Sequence, residues 1–65
     1  MKVGIVKNWN ELNGWGFIEC EEDDQDYFFH ISKVRKGLKV YEGLEVKFDA
    51  TIGQRGDEAE NICHI

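Results

Sequence analysis

Six of the eight aromatic residues of this 65-residue chain lie between Trp9 and Phe29: Trp9, Trp15, Phe17, Tyr27, Phe28 and Phe29, with His30 following directly. Flat rings displayed outward on a rigid support can stack unpaired nucleobases, each stacked base being worth roughly 1–3 kcal/mol by alanine substitution. The same rings turned inward are only a core, so their orientation decides their use. Other chemistry has less to stand on. Cys20 and Cys63 lack the CxxC spacing of a zinc site, and with His30 and His64 they form no recognised ligand pattern. Neither a metal nor a cofactor is expected. Cys63 and His64 are adjacent, but a nucleophilic pair needs a third, orienting group and a pocket. No catalysis is expected.

The elements that must position these rings are short and extended. Lys2 to Asn10 is β-branched and strand-like, Glu11-Leu12-Asn13-Gly14 reads as a turn, and Trp15 to Cys20 forms a second strand. Glu21 to Gln25 is too charged for a strand interior. Asp26 to Ile31 is a third strand, and one helical turn fits after Ser32 in the looser stretch to Gly43. Leu44 to Ile52 alternates Leu44, Val46, Phe48 and Ala50 against Glu45, Lys47, Asp49 and Thr51, as a fourth strand should. A glycine-flanked loop, Gly53 to Glu58, leads to a fifth strand over Ala59 to Ile65. Helical periodicity is sustained nowhere. Five short strands suggest a small closed antiparallel barrel, because closure removes exposed edges.

Period-two alternation then assigns faces. Burying Ile18 and Cys20 with Gly16, which admits a close neighbour, puts Trp15 and Phe17 outside. Burying Tyr27, Phe29 and Ile31 leaves Phe28 and His30 outward, beside Trp15 and Phe17 if the two strands form a hairpin. The result is an exposed platform of Trp15, Phe17, Phe28 and His30. From spacing alone, an ordinary two-sided core covered by the Ser32–Gly43 loop and a protein-binding patch remain alternatives. A buried Tyr27 also needs a hydrogen-bond partner for its hydroxyl.

Length and charge bound the rest. Sixty-five residues make one small domain, residues 1–65, burying only about 60% of the unfolded surface. There is no apolar run of about eighteen residues to cross a membrane. Met1-Lys2 leads straight into strand-like sequence rather than a basic-then-apolar leader, so a cytoplasmic location with reduced cysteines is expected. A net charge of −5 argues against a general polyanion binder. That average hides a segregation, however. Glu19, Glu21, Glu22, Asp23, Asp24 and Asp26 cluster in or beside one loop, whereas Lys33, Arg35, Lys36 and Lys39 form a basic stretch. Such runs are usually only solvated surface; the functional reading places the bases where phosphates run.

The residues also carry a resemblance. Asn13-Gly14-Trp15-Gly16-Phe17-Ile18 looks like the first ribonucleoprotein motif, basic-Gly-aromatic-Gly-Phe-aliphatic. Tyr27-Phe28-Phe29-His30-Ile31 resembles the second as cold-shock domains write it, Val-Phe-Val-His-Phe. Gly4-Ile5-Val6-Lys7-Asn8-Trp9-Asn10 is similar to that family's opening Gly-x-Val-Lys-Trp-Phe-Asn. Gly53-Gln54-Arg55-Gly56 and Ala59-x-Asn61-Ile62 resemble its last loop and strand. The resemblance implies a five-stranded barrel of the oligonucleotide-binding (OB) fold that binds single-stranded RNA or DNA with little sequence preference. It further implies stacking by Trp15, Phe17, Phe28 and His30, contacts from Lys7 and Arg55, and a remaining share of the surface from Trp9, Ile31 and Leu38. Melting RNA structure, the family's behaviour, needs no catalytic group.

Departures from the family pattern soften that surface. Asn8 stands where the family has tryptophan, Asn13 where it has lysine, and Ile31 and Leu38 where it has aromatics. Losing two or three stacking faces weakens binding by several powers of ten, at roughly 1–3 kcal/mol per base; Trp15 in place of phenylalanine recovers some area. The expectation is a monomeric RNA chaperone or regulator, with no membrane or small-molecule partner and reduced affinity. The rival is a protein-interaction barrel that kept the fold and lost nucleic acid.

Overall fold

Alternation along five strands builds the molecule. The computed structural model describes residues 1–65, with strands β1 (Lys2–Asn10), β2 (Trp15–Cys20), β3 (Asp26–His30), β4 (Glu45–Gly53) and β5 (Gly56–His64). One 3-10 turn, Ile31–Lys33, follows β3. The strands close a barrel in the order β1-β2-β3-β5-β4. β1 serves both halves: Gly4 pairs with Cys20 of β2 on one side and with Val46 of β4 on the other.

The closed five-stranded barrel agrees with the sequence reading, with one difference in direction. Four of its seams are antiparallel, but β3 and β5 run parallel, joined at Phe28 and Glu58 and extended by a bridge between Val34 and Ile62. Both strands enter this seam from the same end because the long 31–44 connection carries the chain back across the barrel before β4. That return path leaves no local sequence signal.

Eleven residues form the core: Val6, Ile18, Cys20, Tyr27, Phe29, Leu38, Val40, Val46, Phe48, Ala59 and Ile62. Burying apolar surface of this kind is the main favourable contribution to folding. Gly16 is needed for it. A Cβ there would collide with the Asn8 carbonyl and press on Trp9 and Phe29, at 3.1 Å each. The space is used instead by Trp9, whose indole stacks on Phe29 at 5.4 Å and 4°. Tyr27 finds the partner its burial requires: its hydroxyl donates to Asp23 Oδ2 at 2.6 Å.

Two expectations about faces and one about a boundary need correction. Alternation puts Ile31 in the core and the resemblance puts it on the surface; it is 44% exposed, because β3 stops at His30 and the 3-10 turn swings the next side chain outward. Ala50 is exposed rather than core-facing. The ladder is irregular between Lys47 and Asp49, where β5 carries one extra residue at Asn61, in the left-handed region at φ 53°. Finally, β5 begins at Gly56 rather than Ala59, since a two-residue turn at Gln54-Arg55 replaces the longer loop.

Candidate nucleic-acid interface

The β2–β3 hairpin sets the platform by register. Trp15 lies opposite His30, and Phe17 opposite Phe28. Directly opposed positions hold side chains close enough for aromatic pairs to interact. Phe17 and Phe28 meet edge to face at 5.8 Å and 73°, Trp15 and Phe17 at 6.2 Å and 87°, and Trp15 leans over Phe28 at 6.3 Å and 27°. All three rings are half-buried and His30 is exposed. The outward assignment of these four residues therefore agrees with their placement.

The turn before β2 holds the far end. Asn13 N–H donates to Asn10 Oδ1 at 3.0 Å, and Gly14, at φ +73°, adopts a conformation that few L residues tolerate. Its carbonyl accepts the Ile31 N–H at 2.8 Å, tying this turn to the end of β3. His30 is oriented by the chain that follows it. Its Nδ1 accepts the Ser32 backbone N–H at 3.1 Å and lies 3.0 Å from Ser32 Oγ. The neutral ring thus carries its proton on Nε2, as a donor.

Arg55 reaches the platform from the β4–β5 turn. Its guanidinium carbon sits 4.8 Å from the centre of the Phe28 ring, a cation–π contact. Trp15, Phe17, Phe28 and Arg55 together line a shallow cleft of about 250 Å³. Lys7 is placed differently. It is exposed, but its ammonium is paired with Asp26 Oδ2 at 3.0 Å, a hydrogen bond and ion pair that raises its pKa. Any phosphate at Lys7 competes with that carboxylate.

Trp9, Ile31 and Leu38 are brought together elsewhere. They line a second, wider groove of about 490 Å³ with Leu12, Gly14 and Lys39. Trp9 is half-buried, Ile31 exposed, and Leu38 only 9% exposed, so Leu38 offers a base little surface. Lys39 belongs to the basic stretch the sequence pointed to, whereas Leu12 is a lining residue that sequence reasoning did not assign. Leu12, 94% exposed in an otherwise polar turn, was the available signal. Lys33, Arg35, Lys36 and Lys39 are all exposed, and none is in an ion pair.

Comparison with known proteins agrees with this arrangement. Residues 2–65 match the family model described as the 'Cold-shock' DNA-binding domain. The chain is 44% identical over its full length, and the full length of the relative, to the cold shock-like protein CspLB of Listeria monocytogenes. It is 45% identical to the major cold shock protein of Streptococcus pyogenes, covering 100% of this chain and 98% of that one. Among solved structures, Drosophila Unr CSD456 superposes with a TM-score of 0.81 at 28% identity. The match takes in 98% of this chain and 26% of that longer one. No helix is long and apolar enough to cross a membrane. With an outward aromatic platform and matches along its whole length, the chain belongs to the cold-shock domain family, whose members bind nucleic acid.

Proposed function

We propose that the chain binds single-stranded RNA or DNA by stacking bases on Trp15, Phe17, Phe28 and His30, and that it acts as a monomeric RNA chaperone or regulator in the cytoplasm. The observation that carries this reading is the register of the β2–β3 hairpin, which sets the four side chains side by side on the outer face of a closed barrel. Arg55 flanks the stack, and the exposed bases Lys33, Arg35, Lys36 and Lys39 supply phosphate contacts farther along the strand. Ile31, Trp9 and Lys39 extend the surface through the second groove. A protein of this kind needs no catalytic group: by binding only unpaired strands it shifts RNA folding equilibria by mass action.

Single substitutions test the platform. Phe17→Ala and Phe28→Ala should each weaken oligouridine binding tenfold or more, on the order of 1–3 kcal/mol, in calorimetric titrations at fixed salt. Neither ring is part of the core, so thermal stability should change little. If both variants bind as tightly as the parent, the platform is misassigned. The protein-interaction barrel then becomes the better account.

A further inference from the structure

We infer that Arg55 is a specificity residue, favouring guanine over adenine at the one base held in the Trp15–Phe17–Phe28 cleft. This rests on the platform reading above and deepens it. Stacking alone is nearly indifferent to base identity, so any discrimination comes from the polar groups at the cleft's edge. Those groups are unusually one-sided. Arg55 offers five N–H donors, and its guanidinium donates to no acceptor of the protein; only its backbone N–H is engaged, with Glu58 Oε2 at 3.3 Å. Trp15 adds an indole N–H, which is a donor only. His30, opposite Trp15 in the ladder, presents Nε2–H because Nδ1 already accepts from Ser32.

The two nearby carboxylates are each partly engaged. Asp26 Oδ2 is held by Lys7 at 3.0 Å, and Glu58 Oε2 by the Arg55 backbone. Neither carboxylate lines the cleft. Among the side chains that line the cleft, the polar groups are donors. Guanine answers with two adjacent acceptors, O6 and N7, which match the guanidinium fork. Adenine places its N6 amino group, a donor, where O6 would be, and sets donor against donor. Thymine and uracil offer the single acceptor O4 on that edge. Guanine and adenine are both purines, so their comparison holds stacking area nearly constant and isolates the edge. The preference applies to one position of a strip that is otherwise tolerant of sequence.

Fluorescence anisotropy with labelled heptathymidines tests this directly, with one guanine or one adenine carried at each position in turn. At the best guanine position the parent protein should bind the guanine oligomer about tenfold more tightly than the adenine oligomer, the scale of one bidentate contact. Arg55→Lys keeps the charge and loses the fork. It should bring the two within about twofold, the guanine-to-adenine ratio being read within the variant so that any general change in affinity cancels. Equal affinity for the two oligomers in the parent, or an unchanged preference in Arg55→Lys, overturns the inference and leaves the platform standing. No anisotropy change with any oligomer, heptathymidine included, overturns the platform and the inference together.

Discussion

Phe28 shows how much one position can carry. It faces Phe17 across the hairpin, lies under Trp15, and receives Arg55 from a different turn. Tyr27, its immediate neighbour, points the other way and does structural work with Asp23. The Tyr27 hydroxyl holds the Asp23 carboxyl down at about 2, from an ordinary 3.8, helped by the Gln25 backbone and by Lys2. The same hydrogen bond, with burial, pushes Tyr27 up to about 12 from 10.0. The signs differ at the two ends of the pH range. A depressed carboxyl stabilises the fold above its unfolded value and loses that contribution as pH falls from about 3.8 towards 2. A raised phenol stabilises below its unfolded value and loses that contribution as pH climbs from 10.0 towards 12. The pair should therefore lower urea midpoints at both ends of the range and contribute steadily in between. Tyr27→Phe should lower the plateau and flatten both falls; unchanged slopes would show that this pair is not coupled to folding.

At the scale of elements, the contact of β1 with β2 decides whether the hairpin can stand upright. Trp9 crosses Gly16 to reach Phe29, and nothing larger than hydrogen fits beneath it. Gly16→Ala should cost about 1–3 kcal/mol through overpacking. In a domain of this size each kcal/mol lowers the melting temperature by roughly 4–8 °C, which calorimetry resolves. A variant melting with the parent would mean that β1 yields freely at Asn8. The faces of β2 and β3 were legible in the sequence because a glycine marked the crowded side and period two did the rest. Ile31 was not, since the side chain that ends β3 is turned by a hydrogen bond from Ser32 to His30 that spacing does not announce. The bulge of β5 was hidden because no residue type marks it, and the parallel β3–β5 seam by a connection too long to read. The approach of Arg55 to Phe28 arises from that seam. The pairing of Lys7 with Asp26 joins β1 to β3, which are not neighbours in the barrel and have no register to read. The resemblance puts Leu38 on the surface, but its loop folds back and seals the core with Leu38 and Val40.

For the whole molecule, the −5 charge and the nucleic-acid platform are compatible because they occupy different places. Six acids gather in and around the β2–β3 turn, while the exposed bases of residues 33–39 follow the 3-10 turn without acidic partners. Stacking needs no net charge, so a domain too thin for a deep active site can bind on its outer face. The central claim is that bases stack on Trp15. It is tested most directly in a Trp9→Phe variant, where Trp15 is the only indole left, by titrating its fluorescence with oligothymidine. The expected result is saturable quenching that weakens in the additional presence of Phe28→Ala. Undiminished fluorescence at high micromolar oligonucleotide, with the barrel still folded, would contradict it.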